Sequence, residues 1–231
     1  MIALASVVWN ERENLPLFFE GLHPLIATRT ITELVVVVQA STDDTVHQVE
    51  TFTALMRAQY PAFEGNILDR PHTGFCEVDR QLSIDACHAP WVLVLDADEW
   101  INPSTPLRDL VAQADRQQIA AISLPTFNHV VDLPGQPRMQ HFGEERHFRL
   151  FKKERVRWPT NVHATPIVDG PILDAPANCF VHHRWRLWAQ PDKIVRQVEF
   201  TRQHEGDEAA QRLKEWLEGN YTAFRRELGV S

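Results

Sequence analysis

Apolar residues come along the chain in short runs that stop at polar clusters, and between the runs they recur at helical spacing. Ile2 to Trp9 is the first run and ends at Asn10-Glu11-Arg12-Glu13-Asn14. Its apolar, β-branched content predicts a buried strand followed by a loop. Leu15, Phe18, Phe19 and Leu22 then recur at helical spacing, with Pro16 tolerated in the first turn and Pro24 near the helix end. The unit repeats: Leu34 to Val38 is continuously apolar and leads through Ser41-Thr42-Asp43-Asp44-Thr45 into a helical segment ending near Met56. A strand that is apolar on both faces belongs in the middle of a parallel sheet. A third run, Trp91 to Leu95, follows a helical segment over Val78 to Cys87 and ends at Asp96-Ala97-Asp98-Glu99. Strands alternating with helices predict a doubly wound α/β fold.

Beyond Pro103 the texture changes. Ser104 is placed to cap a helix through Ala114, Ala120 to Leu124 and Phe148 to Phe151 read as strands, and Asn128 to Phe142 reads as a long active-site loop. Lys193 to Arg202 and Ala209 to Leu228 have the pattern of amphipathic helices. With no internal repeat or clean linker, the expected organisation is one domain over residues 1–203. A C-terminal helix over 204–231 packs on it or extends from it.

Composition narrows the class. A chain of 231 residues, 44% hydrophobic and 23% charged, has the size and make-up of a single globular core, not of a disordered or fibrous chain. Its net charge of −8 argues against stable binding of duplex nucleic acid or of anionic membranes. The charge is uneven, however: from Arg138 to Arg202 there are 12 Lys and Arg against 7 Asp and Glu. A basic segment in an acidic protein suggests a local polyanion site, or stems of Arg and Lys lying over apolar surface. The three cysteines show no C-x-x-C spacing, so they form neither a disulfide framework nor a zinc knuckle, and a reducing compartment is expected. No stretch approaches the about 20 apolar residues of a membrane span, and no basic segment precedes the first apolar run. A soluble, cytoplasmic protein is expected, with peripheral attachment to the inner membrane as a variant.

Ligands of a parallel α/β sheet bind beyond the carboxyl ends of its strands. The Asn10-Glu11 pair, the Ser41 to Asp44 loop and Asp96-Ala97-Asp98 all fall at such ends, so three clusters distant in sequence converge on one edge. Asp96 and Asp98, two residues apart, project to one side of an extended backbone. Two hard oxygen donors suit Mn2+ or Mg2+, with water and a diphosphate filling the remaining positions. D-x-D alone is a weak signal; directly after a buried strand it is far more specific. The chain has no G-x-G-x-x-G, G-x-x-x-x-G-K, G-x-S-x-G or H-E-x-x-H, which removes dinucleotide oxidoreductases, P-loop kinases, α/β-hydrolases and zincins.

The first strand ending in Asn10-Glu11, V-V-V-Q-A-S-T-D-D-T, W-V-L-V-L-D-A-D-E and Arg149-Leu150-Phe151-Lys152-Lys153 occur in the order found in family 2 glycosyltransferases of GT-A fold. The chain resembles that family from about Ile2 to Arg202, and is most similar to small bacterial enzymes related to lipopolysaccharide-core β-glucosyltransferases. The resemblance implies a metal-dependent transferase and a nucleotide-diphospho-sugar donor, UDP-sugars first. Asn10, Glu11, Gln39, Ser41 and Asp43 would lie near the nucleoside. It implies Asp96 at ribose or metal, Asp98 on the metal and Arg149 at the diphosphate, with Lys152, Arg184 and Arg186 as further phosphate candidates. Family members invert the anomeric centre, which needs a carboxylate to take the acceptor proton. Gly143-Glu144-Glu145-Arg146-His147-Phe148-Arg149-Leu150-Phe151 places Glu145 on the family's base, with Glu144 second; pairing with Arg146 or Arg149 is the alternative role.

Two histidine segments follow. Asn161-Val162-His163-Ala164 matches the family's V-H-E, and Val181-His182-His183 resembles its L-x-H-Y. The resemblance makes His163 and His182 candidate metal ligands, against the plainer role of hydrogen-bonded structural histidines. Trp100, Trp158, Trp185 and Trp188 are placed to stack on a sugar or to fill the core. Two positions depart from the family: Gln39-Ala40 stands where many members have D-D or D-S, and Ala164 replaces a Glu. Those losses keep open a non-catalytic nucleotide-sugar-binding or scaffold protein of the same fold. A nucleotidyltransferase would need a Gly- and Lys/Arg-rich loop after the first strand, and Trp9-Asn10-Glu11-Arg12 is not one. The expected acceptor is a glycan, a cell-envelope component or another modified molecule.

Overall fold

In the computed structural model, residues 1–102, 104–131, 140–161, 164–186 and 190–227 are described. All seven residues of β1 (Ile2–Val8) are buried. Its alternate side chains enter different clusters: Ile2, Leu4 and Val8 join one, Ala3 and Ala5 the other. That is the signature of a strand covered on both faces. After it come α1 (Leu15–Ala27), β2 (Ile31–Gln39), α2 (Thr45–Gln59), β3 (Glu64–Arg70), α3 (Glu77–Asp85) and β4 (Trp91–Val94). β1 pairs in parallel with β2 and β4, and β2 with β3, giving the order β3-β2-β1-β4. Leu15, Phe18 and Leu22 of α1 and Val49, Phe52 and Met56 of α2 fill the Ile2 face, and Ile84 of α3 fills the Ala3 face.

Pro24 lies inside α1 and does not end it. An interior proline costs about 3 kcal/mol, but Leu25 and Ile26 are both buried beyond it. At about 1.5–3 kcal/mol for each buried side chain, their burial offsets that cost and carries the helix to Ala27. β3 has no counterpart in the sequence reading. Its segment EGNILDR alternates poorly because it is an edge strand, and Gly65 is required because Thr53 of α2 occupies the space a Cβ would take.

The later elements are β5 (Glu99–Ile101), α4 (Leu107–Arg116), β6 (Ala121–Val131), β7 (Gln140–Lys152), β8 (Val156–Arg157), β9 (Ile167–Val168), β10 (Ile172–Asp174) and β11 (Val181–Arg186). They extend the sheet from β4 in the order β7-β6-β11-β5, with β10 beside β6 and β8–β9 a separate pair. β7 runs antiparallel to β4, and β11 antiparallel to β5, so the sheet is mixed where its first half is parallel. Ser104 does not cap α4: its N–H and hydroxyl both donate to Oδ1 of Asn102 (2.9 and 2.8 Å), and the helix starts after Pro106. Asn128 to Val131 and Gln140 to Phe142 continue β6 and β7 into the stretch expected as a loop; residues 132–139 lie outside the described residues.

By compactness the chain forms two units, the first containing Met1–His129 and Gln140–Trp185. The second contains α5 (Gln190–Glu205) and α6 (Asp207–Glu227), which meet through Ile194, Val198 and Ala210 with Leu217 and Tyr221 alongside. Among the described residues no helix is long and apolar enough to cross a membrane.

Candidate active site

The loops leaving β1 and β2 are knitted together at the carboxyl edge. Asn10 takes a positive φ of 53°, a conformation its short polar side chain tolerates. Its N–H donates to Ser41 Oγ (3.1 Å), and its side-chain oxygen accepts the Thr42 N–H (2.8 Å). The Glu11 N–H donates to Thr45 Oγ1 (2.7 Å), the Arg12 N–H to Asp43 (3.3 Å), and Asn14 Nδ2 to Glu11 (2.7 Å). Partial burial would raise the Asp43 pKa, but the Thr45 hydroxyl, the Thr45 and Arg12 N–H groups and the Arg12 charge hold it below the usual value. Asn10, Glu11, Ser41 and Asp43 are thus brought together as expected. Gln39 is placed differently. It is buried and turned toward α3, its amide nitrogen donating to the Phe75 carbonyl (3.2 Å) and to Asp79 (2.7 Å). Beside it, the rings of Trp9 and His72 stack at 4.0 Å.

The D-A-D loop follows β4 across the switch point from β1, where the strand order reverses. The Asp96 carboxylate sits between the guanidinium groups of Arg80 and Arg149. Glu99 lies underneath, almost wholly buried, paired with Arg149 and accepting the Asp96 N–H (3.0 Å). Burial pushes the Glu99 carboxyl up and the Arg149 charge opposes that shift. Glu99 therefore braces the loop, and Arg149 is held by carboxylates within it. Arg80 was not identified from the sequence. It lies on the inward side of α3, a helix that buries Glu77, Asp79, Arg80 and Ser83 while Leu82 is exposed. Its guanidinium lies over the Trp158 ring, and two of its buried nitrogens, Nε and Nη1, have no hydrogen-bond partner among the described residues. The signal for it was the missing apolar stripe on that helix.

Asp98 is only partly exposed, and its Oδ2 lies 3.5 Å from Nε2 of His183. Pairing of β11 with β5 sets His182 opposite Trp100 and His183 opposite Glu99. Neighbouring side chains on a strand face opposite sides, so only one of the two histidines turns to the loop. The structure brings His183, not His182, to Asp98. His182 instead stacks on Trp100 (4.9 Å) and lies 2.6 Å, Nδ1 to Nε2, from His129. Burial, aided by His129, pulls its pKa down to about 4. The backbone N–H of Arg184 donates to the Asp98 carbonyl (2.7 Å) and its side chain to the Glu13 carbonyl (3.4 Å), tying this loop to the one after β1.

Glu145 is exposed on β7, with its carboxylate 3.2 Å from His147 Nε2. That hydrogen bond lowers its pKa against partial burial, and the His147 and His183 rings, when protonated, act in the same direction. His163 and the side chains of Glu144, Trp185, Arg186 and Trp188 lie outside the described residues. Lys152 is not at the site: antiparallel pairing sets it opposite Trp91, at the start of β4, where it pairs with Asp115 (3.1 Å). Trp158 is buried beneath Arg80, and Ala164 packs against the Ala3–Ala5 cluster. At the other end of the strands, Glu33, Glu64 and His88 bring ligand-type atoms within 4.8 Å of one another. Buried Glu33 accepts the N–H groups of His88 and Ala89 there, which anchors the turn before β4.

The edge thus offers hydroxyl- and amide-bearing loops on one side and, on the other, the Asp98–His183 carboxylate–imidazole pair near a second carboxylate, Glu145. That set can hold a cation and a phosphorylated ligand and can accept a proton. The fold is similar to that of S. aureus TarS residues 1–349 in complex with UDP, with a TM-score of 0.54 and 14% identity over 99% of this chain and 73% of that one. The same TarS fragment in complex with UDP-GlcNAc gives 0.55 and 14%, over 88% and 72%. A mannosyltransferase from Pyrobaculum calidifontis, in complex with GDP-Man and Mn2+, gives 0.53 and 16%, over 96% and 73%. No curated protein matches the sequence. Residues 5–168, more than half of the chain, match the model of Glycosyl transferase family 2, and the chain belongs to that family of glycosyltransferases and has their GT-A fold.

Proposed function

We propose that the protein is a metal-dependent, inverting glycosyltransferase that moves a sugar from a nucleotide-diphosphate donor to an acceptor hydroxyl. The observation that carries this reading is the Asp98–His183 pair at the carboxyl edge, within the field of Glu145. A carboxylate oxygen and an imidazole nitrogen would hold Mn2+ or Mg2+, which when bound would supply the charge that neutralises a diphosphate leaving group. Asp96, fixed by two arginines, orients the loop at the ribose side of the donor. The knitted loops carrying Asn10, Ser41 and Asp43 line the nucleoside end. UDP, UDP-GlcNAc and GDP-Man in the similar structures, and Mn2+ in one of them, support this donor class.

Glu145 takes the acceptor proton. Like any carboxylate of ordinary or lowered pKa it is ionised at neutral pH, so it can accept a proton as the donor bond breaks, and the His147 hydrogen bond that lowers its pKa also limits its strength as a base. In a single displacement the hydroxyl oxygen bonds to the anomeric carbon from the face opposite the departing nucleoside diphosphate, and the configuration inverts. The test is to incubate the protein with UDP- and GDP-sugars, with Mn2+ and with EDTA, and to follow nucleotide release and the first anomer formed by proton NMR. Mn2+-dependent release with inverted configuration is expected. Retention, or release unaffected by EDTA, contradicts the mechanism, and no release from any donor favours the non-catalytic sugar-nucleotide binder.

A further inference from the structure

We infer that Asn128 is a positioning residue that sets the proton on His183 and so completes the cation site; this rests on the metal-dependent reading above. Asn128 lies on β6 and His183 on β11, strands that are neighbours in the sheet. Asn128 Oδ1 is 2.7 Å from His183 Nδ1, a short hydrogen bond, whereas Nε2 is 3.5 Å from Asp98 Oδ2. An amide oxygen only accepts, so the ring proton of the neutral imidazole sits on Nδ1. In that neutral form Nε2 carries a lone pair 3.5 Å from a carboxylate oxygen that also carries lone pairs. Two acceptors at that separation repel, and a cation held by both would reverse the sign of that interaction. Neutral imidazole is also the form that ligates a metal, and its second ring nitrogen ordinarily donates to a fixed acceptor that orients it. Asn128 provides that acceptor.

The arrangement explains why an asparagine serves here. A leucine would leave the ring free to rotate or to carry its proton on Nε2, where it would donate to Asp98 and block the cation. An aspartate keeps an acceptor at the same place and preserves the orientation.

Two measurements test the assignment. The first is the ring nitrogen-15 spectrum of the protein in EDTA, which reports the His183 tautomer directly: Nδ1–H is expected, and Nε2–H overturns the inference without any variant. The second is Mn2+ affinity by electron paramagnetic resonance, with and without UDP. Asn128→Ala is expected to weaken binding by about tenfold or more, Asn128→Asp to restore it, and Asn128→Ala to have no further effect in a His183→Ala background. Asn128→Ala at wild-type affinity, while Asp98→Ala loses Mn2+, overturns this inference alone. Mn2+ affinity unchanged by Asp98→Ala, or no Mn2+ binding at all, overturns the metal reading and this inference with it. If Asn128→Ala does not fold, Asn128→Asp and the tautomer spectrum decide: an Asn128→Asp protein with weakened Mn2+ binding counts against the role.

Discussion

The two halves of the sheet are stabilised by different physics. In β3-β2-β1-β4 the central strands β1, β2 and β4 are runs of buried apolar side chains, and the chemistry sits only in the loops that leave them. In β7-β6-β11-β5 the polar chemistry enters the strands themselves: Glu99 pairs with Arg149, Asn128 hydrogen-bonds His183, and His182 stacks on Trp100, all of them strand residues. The first half is a rigid platform with a polar rim. The second is a set of paired charges whose positions depend on each other, which is what a site needs if a cation and a proton acceptor are to be held to within fractions of an ångström.

Substitutions should separate the halves. The largest effect expected is on turnover: Glu145→Gln should lower kcat by about 10²- to 10⁴-fold while donor affinity stays at the wild-type value, and normal turnover would remove Glu145 from the base role. Arg80→Met breaks the buried pair with Asp96, which then keeps only Arg149 of its two arginines, and removes the charge that opposes the burial of Glu77. Urea unfolding should show a loss of about 3–5 kcal/mol, together with weakened donor binding by the protein that remains folded. Leu93→Ala, in the apolar half, should cost about 2–5 kcal/mol yet leave the donor affinity of the folded fraction unchanged. If Leu93→Ala and Arg80→Met affect donor binding equally, the two halves are not distinct in the way described.

Smaller effects follow from titration and from the surface. The folded pKa of His182, about 4, lies below the ordinary histidine value of 6.5. The unfolded chain therefore takes up the proton first, and stability is lost as the pH falls from about 6.5 toward about 4. The full shift corresponds to about 3 kcal/mol, and solvent screening of this half-buried ring should reduce the loss to on the order of 1–2 kcal/mol, measured in EDTA and absent in His182→Phe. Arg155→Ala, which removes an exposed pair with Asp169 at 3.3 Å, should change stability by less than about 0.5 kcal/mol. It serves as the baseline against which the buried pairs are judged.

The same division explains what was legible in the sequence. β1, β2 and β4 were plain because a strand buried on both faces must be continuously apolar, and the loops after them fell at the carboxyl edge by the topology of a parallel sheet. β5 has no counterpart in the sequence pattern, where Glu99 only closes the polar cluster after Leu95; its burial depends on Arg149, fifty positions away, and on the Asp96 N–H, partners that no local pattern reveals. Strand periodicity required His182 and His183 to face opposite sides, but it did not say which side held Asp98. That phase is set by pairing with β5, an element missed for the reason just given. Lys152 was misplaced at the site because R-L-F-K-K reads as one basic cluster, whereas an antiparallel β7 carries its end away from the carboxyl edge. Gln39 was expected at the nucleoside by position in the motif, and its partner Asp79 on α3 turns it inward.

The most direct test of the central claim is calorimetric titration of UDP- and GDP-sugars into the wild type, Asp98→Ala and Glu145→Gln proteins, each with Mn2+ and with EDTA. The account predicts that one donor class binds wild type and Glu145→Gln equally, only with Mn2+, and that Asp98→Ala loses that binding. Donor binding that persists in EDTA, or in Asp98→Ala, would contradict it.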